Sequence, residues 1–498
     1  MSSDARRAAG AILGVLVVTI GFGVLGGQVR RPSASVVPVD SRLAPRMPAA
    51  PPLGAQSTSW YCAGGTGTAN GVANQTVSVV NTGPRPAKGY MEVVSSAGQE
   101  KSVPVKVGSY SQMDLTPDGL EQGPFIAERL LIHGGQVSVL QSASGSSGQA
   151  SAPCSSATSS SWYFAAGSTA SGAQLYLSLF NPAATDAIVE VQFLTSSGPS
   201  SPANLQGVVV PAGGLVVKDV GRYVLGQSLV ATEVHTAAGR LVADELQVGD
   251  AGKPGLALTL GAPAPVTTWR FPRTGVPAGT TVQLQVLNPT SVAARVDAAV
   301  ELEAGQAAPF VIEVPADSVE VLVVSGQVRL PVATEFAVTV RSMNGVPVVA
   351  ERTVLAGPPL NVTGYEATLG ASADSTAWLV GSFAPPAPLE VIGIQDVTRK
   401  ALHVAIRAIA GGYMMQVGSE QLYKLDPGIP LYVTVPASLA SAGMSLLVSA
   451  SGKIVVEQDQ AQPGGLGITS AMGVVVPGHT LKLHARAVRK QARSGLRI

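Results

Sequence analysis

The four tryptophans of the chain stand at nearly even intervals, Trp60, Trp162, Trp269 and Trp378, separated by 102, 107 and 109 residues. A large, rare side chain recurring at a fixed period points to one unit of about 105 residues repeated four times, and such a period dictates the architecture before any local reading does. Further landmarks follow in fixed order. Asn181-Pro182 and Asn288-Pro289 each begin nineteen residues after their tryptophan; Asn81-Thr82-Gly83-Pro84 begins at twenty-one, and the fourth copy has Gln395-Asp396. Val210-Pro211, Val314-Pro315 and Asp426-Pro427 place a proline 46 to 49 residues beyond the tryptophan. A glycine then opens an apolar run ending in an acid: Gly239 to Glu245, Gly345 to Glu351, Gly452 to Glu457, with Gly135 to Gln141 in the first copy.

Between the landmarks lie short β-branched and apolar runs closed by Gly, Pro, Asn or Ser, such as residues 175–180, 187–194, 215–220 and 241–248. That pattern is strand-like. Asn-Pro after a strand opens a turn, the Asn through its side chain and the Pro through its fixed φ. About seven strands in roughly 105 residues is the content of an immunoglobulin-like sandwich. The expected fold is therefore all-β: four tandem Ig-like sandwiches after one N-terminal transmembrane helix. The alternative is a β-propeller with two blades per repeat. One tryptophan per copy is expected to anchor each core, burying ~150–250 Å².

Charged residues are 13% of the chain, and Gly and Pro together supply 92 of 498 positions. Thin β cores with many turns fit that composition. A net charge of +1 supplies no global attraction to nucleic acid.

Residues 8–27 carry no charge and are flanked by Arg6-Arg7 and Arg30-Arg31. Twenty residues match a ~30 Å hydrocarbon layer, whereas a cleaved signal has an apolar region of about 7–15. The expected order is a cytoplasmic tail (1–7), a transmembrane anchor (8–27), a Pro-rich spacer (28–57), β modules at 58–155, 156–265, 266–375 and 376–476, and a basic tail (477–498). The only cysteines, Cys62 and Cys154, both fall in the first copy near its ends. An even pair beyond an export segment is expected to form a disulfide, which places the bulk of the chain outside the membrane. The serine-rich stretch 142–161 is expected to be a flexible linker. The tail from Lys482 holds six basic residues and no acid.

No His-Glu-x-x-His, Gly-x-Ser-x-Gly, phosphate-binding loop or Cys-x-x-Cys occurs. Neither catalytic residues nor a metal or cofactor site is expected. His133, His235, His403, His479 and His484 do not share equivalent positions and are expected on exposed strands or turns. Glu245, Glu351 and Glu457 recur, but with Gln141 in the first copy an acceptor or surface role fits better than acid–base chemistry, so Glu→Gln at all three should be tolerated.

The opening Trp, the leucine-rich strand ending in Asn-Pro and the closing stretch Val348-Val349-Ala350-Glu351-Arg352 resemble a family of actinobacterial membrane-anchored envelope proteins built from tandem repeats, with no assigned activity. That resemblance implies an envelope location. The expected function is a non-enzymatic scaffold or binding protein on the cell membrane. Its expected partners are the lipid bilayer and envelope proteins or cell-wall glycopolymer, with no nucleic acid. The alternative is a carbohydrate-active envelope enzyme or an accessory subunit of one.

Overall fold

The computed structural model describes residues 47–67, 71–117, 124–250, 253–305, 307–331, 335–381, 389–418, 420–462 and 465–481. The expected anchor, His484 and the tail from Lys482 lie outside them. Among the described residues no helix is long and apolar enough to cross a membrane.

The described chain is nearly all β, in several separate sheets, none of them closed. Each copy reuses four kinds of strand. The Trp strands are Ser57–Thr66, Ser161–Phe164, Thr268–Gly275 and Ser375–Val380. The Asn strands are Asn74–Asn81, Gln174–Phe180, Thr280–Asn288 and Leu389–Asp396. The acid strands are Val137–Gly145, Val242–Asp250, Val349–Ala356 and Leu446–Ala461. A last, inner strand follows each acid strand: Gly148–Pro153, Lys253–Leu260, Gly364–Leu369 and Ile468–Met472. Acid strands lie antiparallel between the Asn strand and the inner strand of their own copy. In copies 2 and 3 a second sheet holds the Trp strand. Copy 2 encloses one core between its two sheets, Trp162 and Val234 on one side and Leu177 and Val242 on the other.

The sequence landmarks are one hydrogen-bonded frame. The Asn181 side-chain amide donates to the carbonyls of Thr185, Val210 and Pro211, and Asn288 repeats this on Val292, Val314 and Pro315. One side chain thus ties the Asn-Pro turn to the Val-Pro turn, which fixes their spacing. The indoles of Trp162 and Trp269 donate to the carbonyls of Leu241 and Val348, just before the acid strands, and that of Trp378 donates to Ile454 within the long fourth acid strand. All four tryptophans are fully buried. In the fourth copy Asp396 has only acceptors to offer, and it caps its own turn through the N–H groups of Thr398 and Lys400.

Cys62 and Cys154 are disulfide-bonded, with Cα atoms 4.8 Å apart and a sequence separation of 92. Two expectations fail. Residues 142–161 are not a loose linker: the acid strand runs to Gly145, the inner strand covers Gly148–Pro153, and Ser155 and Ser159 pair with Tyr61 and Leu241. Alternating small residues there bury Ala143, Ala150 and Ala152, so the serines are the other face of strands. Residues 47–57 of the expected spacer also pack on the repeats. Met47 and Ala50 are buried, and Ala49 pairs with Val475.

Candidate functional site: the polar junctions between copies

Register identifies which acids are equivalent. The residue opposite the position three before the Asn landmark is Leu140, Asp244, Glu351 and Glu457 in the four copies, facing Ser78, Ser178, Gln285 and Gly393. The next residue is Gln141, Glu245, Arg352 and Gln458. Glu245 therefore matches Gln141 and Arg352, not Glu351 and Glu457. The sequence alignment was one residue out of step, because acids stand at both 244 and 245. On a strand that single step moves a side chain to the opposite face.

The first set reaches into the preceding copy. Asp244 Oδ2 accepts from the Ala63 N–H at 3.1 Å, and both Glu351 oxygens accept from Ala165 and Ala166 at 3.1 Å. Glu457 Oε2 accepts from Arg273 at 3.1 Å. Ala63 and Arg273 lie where their Trp strands break register, between Cys62 and Gly65 and between Phe271 and Thr274. A bulge releases N–H groups from the ladder, and the acid from the next copy satisfies them. Leu140, the apolar member, shares a buried cluster with Ala377 and Leu379 of the fourth Trp strand. Copy 1 thus packs on copy 4 as each later copy packs on the one before, and the four copies close into a ring.

The inner strands meet at its centre. Among the first glycines of these segments, Gly255, Gly364 and Gly467 are points of close approach: a Cβ on Gly255 would stand 2.5 Å from the Tyr365 nitrogen, and one on Gly364 2.9 Å from that of Ile468. A Cβ on Gly467 would stand 3.0 Å from the Gln149 side chain, completing the circuit. Ser151 and Thr469 are 2.9 Å apart across the copy 4–copy 1 seam, where Gln136 also binds the Pro477 carbonyl and His479.

The junctions differ in charge. Between copies 3 and 4, buried Arg352 donates to Glu457 at 2.6 Å and Glu366 at 3.1 Å, and Arg273 pairs with Asp459 at 3.0 Å. Arg273 also pairs with Glu335. Between copies 1 and 2, Asp244 meets Gln141, which donates at 2.6 Å and in turn accepts from Gln75 at 2.8 Å. Glu128 lies alongside, fully buried, its carboxyl raised by desolvation and by the charge of Asp244. Burial pushes Asp244 up to about 7 and Glu351 up to about 8, against the pull of their hydrogen-bond donors. Burial also raises Glu245, beside Thr232 and Glu351. The acids expected to be surface groups or acceptors are therefore all interior.

Of the described histidines only His133 is exposed. His235 packs edge-on against Tyr163, and burial at the seam lowers the pKa of His479. Among the described residues no group of three or more His, Cys, Asp or Glu side chains is placed to hold a metal. A cleft of about 410 Å³ opens at the copy 1–copy 2 junction, lined by Glu92, Glu100, Lys101, Ser102, Arg129 and Phe180 among others. Arg129 binds Glu92 there and donates to the Pro182 carbonyl at 3.0 Å. Sequence reasoning missed Arg352, Asp244 and the inner-strand glycines; the last were legible as a Gly opening an alternating run soon after each acid strand.

Fold and junctions define an all-β protein of four interlocked copies. The chain belongs to DUF5719, a family of unknown function, whose model matches residues 131–385, just over half its length. No curated protein matches it. Two solved structures are similar in part. One is the crystal structure of Thermotoga maritima 1070, at 18% identity, covering 22% of this chain and 94% of that one, with a TM-score of 0.20. The other is a tetra-tandem repeat in the extending region of a large adhesion protein, at 14% identity, covering 83% and 98%, with a TM-score of 0.10. Scores this low carry no argument about arrangement.

Proposed function

We propose that this chain is a non-enzymatic extracytoplasmic scaffold or binding protein, held to the cell membrane by residues 8–27 and built from four Ig-like sandwiches. The observation that carries the reading is the interlocking of the copies: acids, asparagines and tryptophans are consumed in holding the copies and turns to one another. Conserving geometry in this way suits a rigid platform whose outer loops meet partners. The Cys62–Cys154 bond supports an oxidising compartment. Partners of this reading are the bilayer, through the anchor, and envelope proteins or wall glycopolymer, through the loops.

The test is fractionation with protease protection in intact cells. The protein should resist carbonate extraction while its repeats are cut from outside. Release by carbonate, or a mature N-terminus near residue 36, overturns the anchor. Alkylation of both cysteines without reductant overturns the outward orientation.

The carbohydrate-active alternative draws on one feature, the cleft where Glu92 and Glu100 stand near Arg129. Hydrolysis of envelope glycan by the purified protein, abolished by Glu100→Gln, would favour it over the scaffold.

A further inference from the structure

The copy 1–copy 2 junction brings together two fully buried carboxyls, Glu128 and Asp244, and the groups bonded to Asp244 are an amide and a backbone N–H. Glu128 comes from the strand paired with the first Trp strand, directly opposite Cys62. Asp244 arrives from copy 2 and takes the N–H of Ala63, in the bulge that begins at Cys62. A Cβ on Gly64 would lie 3.2 Å from Asp244 Oδ2, and one on Gly65 would lie 2.8 Å from Gln75 Oε1. The bulge therefore gathers Glu128, Asp244, Gln75 and Gln141 in one place. Glu128 is 0% exposed and so is Asp244. Both Glu128 oxygens, Asp244 Oδ1 and Gln75 Oε1 are buried without a hydrogen-bond partner.

Where the same position carries Glu457, the Arg352 guanidinium pairs with it, while Arg273, like Ala63 here, gives only its backbone N–H. At copy 1–copy 2 the equivalent of Arg352 is Gln141, and the groups acting on Glu128 and Asp244 are each other, amides and a backbone N–H. Buried ions persist only when paired, hydrogen-bonded or bound to metal. The copy 2–copy 3 junction is less open to a ligand, since Ala165 and Ala166 occupy both Glu351 oxygens.

We propose that this pocket binds one Ca²⁺ ion through oxygens of Glu128, Asp244 and Gln75. Carboxylate and amide oxygens are hard donors, and two carboxylates balance one divalent charge. Nitrogen and sulfur donors that would favour zinc or copper are missing from the set, the nearby cysteines being joined to each other. Mg²⁺ demands near-ideal octahedral geometry, whereas Ca²⁺ accepts an irregular cage, here the four unpartnered oxygens completed by water. The ion would cross-link copy 1 to copy 2 where copy 3 and copy 4 use arginine.

The experiment uses the full chain, purified in detergent without chelator. Elemental analysis should find about one calcium per chain, and removal with EGTA should lower the thermal midpoint by several degrees, restored by CaCl₂ but not by equimolar MgCl₂. Glu128→Gln and Asp244→Asn, one from each copy, should each weaken calcium binding at least tenfold in calorimetry, and Glu100→Gln in the open cleft should leave it unchanged. Should either junction variant fail to fold, the other and the EGTA arm still decide. Absence of bound calcium with no midpoint shift at millimolar CaCl₂ overturns the proposal, as does undiminished binding in both junction variants; the two carboxyls then share a proton.

Discussion

A carboxylate with two backbone donors behaves differently from one on the surface, and Glu351 shows how. Its two oxygens take the N–H groups of Ala165 and Ala166. Gln offers one acceptor and sets an NH₂ against the second N–H, so Glu351→Gln should cost ~1–3 kcal/mol, against the tolerance expected from sequence. The loss should depend on pH. Burial lifts the folded pKa to about 8 from the ordinary 4.5. Between those values the folded chain holds a proton that the unfolded chain has released, so wild-type stability falls as pH rises through that window. The variant lacks this titration. Urea melts should show the gap between wild type and variant narrowing from pH 5 to pH 8; an unchanged gap would show that Glu351 does not titrate in the window. The tryptophans allow a second contrast. Trp269→Phe removes an indole N–H bonded to Val348, whereas the Trp60 indole nitrogen has no partner. Beyond the shared loss of ring area, Trp269→Phe should cost ~1 kcal/mol more, because a buried hydrogen bond is lost, although the Val348 carbonyl keeps the Val266 N–H. Equal losses at the two sites in chemical denaturation would contradict that.

Inner strands hold the ring by backbone approach, which a side chain prevents. Gly255→Val would drive a Cβ to within 2.5 Å of the Tyr365 nitrogen. Overpacking of this kind typically costs ~1–3 kcal/mol, and here it should loosen the copy 2–copy 3 seam first. Gly357→Ala, with open space around it, should be nearly silent. Hydrogen exchange along Gly364–Leu369 separates the two: faster exchange in Gly255→Val alone supports the close approach, and equal rates refute it. Strands of this sort were readable in advance. Period-two apolar runs closed by Gly, Pro and Asn located them, and even tryptophan spacing gave the repeat. The disulfide followed from two cysteines in one copy. What sequence could not supply was register. Asp244 and Glu245 are adjacent, and nothing local tells which one points out of its copy. The serines of 142–161 misled for a related reason: composition suggested a linker, while the small alternating Ala143, Ala150 and Ala152 were the buried side of strands. Arg352 stands in the closing motif with no role legible there, since its partners lie 14 and 105 residues away.

At the scale of the whole molecule, four copies in line and four copies in a ring make opposite forecasts. In a linear array the first copy owes nothing to the fourth, and stability is a sum of unit and neighbour contributions. Here the outer face of the first acid strand, through Leu140, lies in one buried cluster with Ala377 and Leu379, and Gln112 binds the backbone of Gly443 and Ser445. Removing residues 376–498 would therefore uncover apolar surface on copy 1 as well as on copy 3. Exchange protection should fall in Val137–Gly145 and in Thr268–Gly275, two segments far apart in sequence, while Gln174–Phe180 in copy 2 keeps most of its own. The disulfide should keep copy 1 from unfolding outright, since a 92-residue loop contributes ~4–5 kcal/mol in the loop-entropy account. Adding reductant to the truncated protein should then lower its first melting transition by more than in the intact ring. If Val137–Gly145 stays protected after truncation, copy 1 does not lean on copy 4, and closure of the ring contributes nothing to stability.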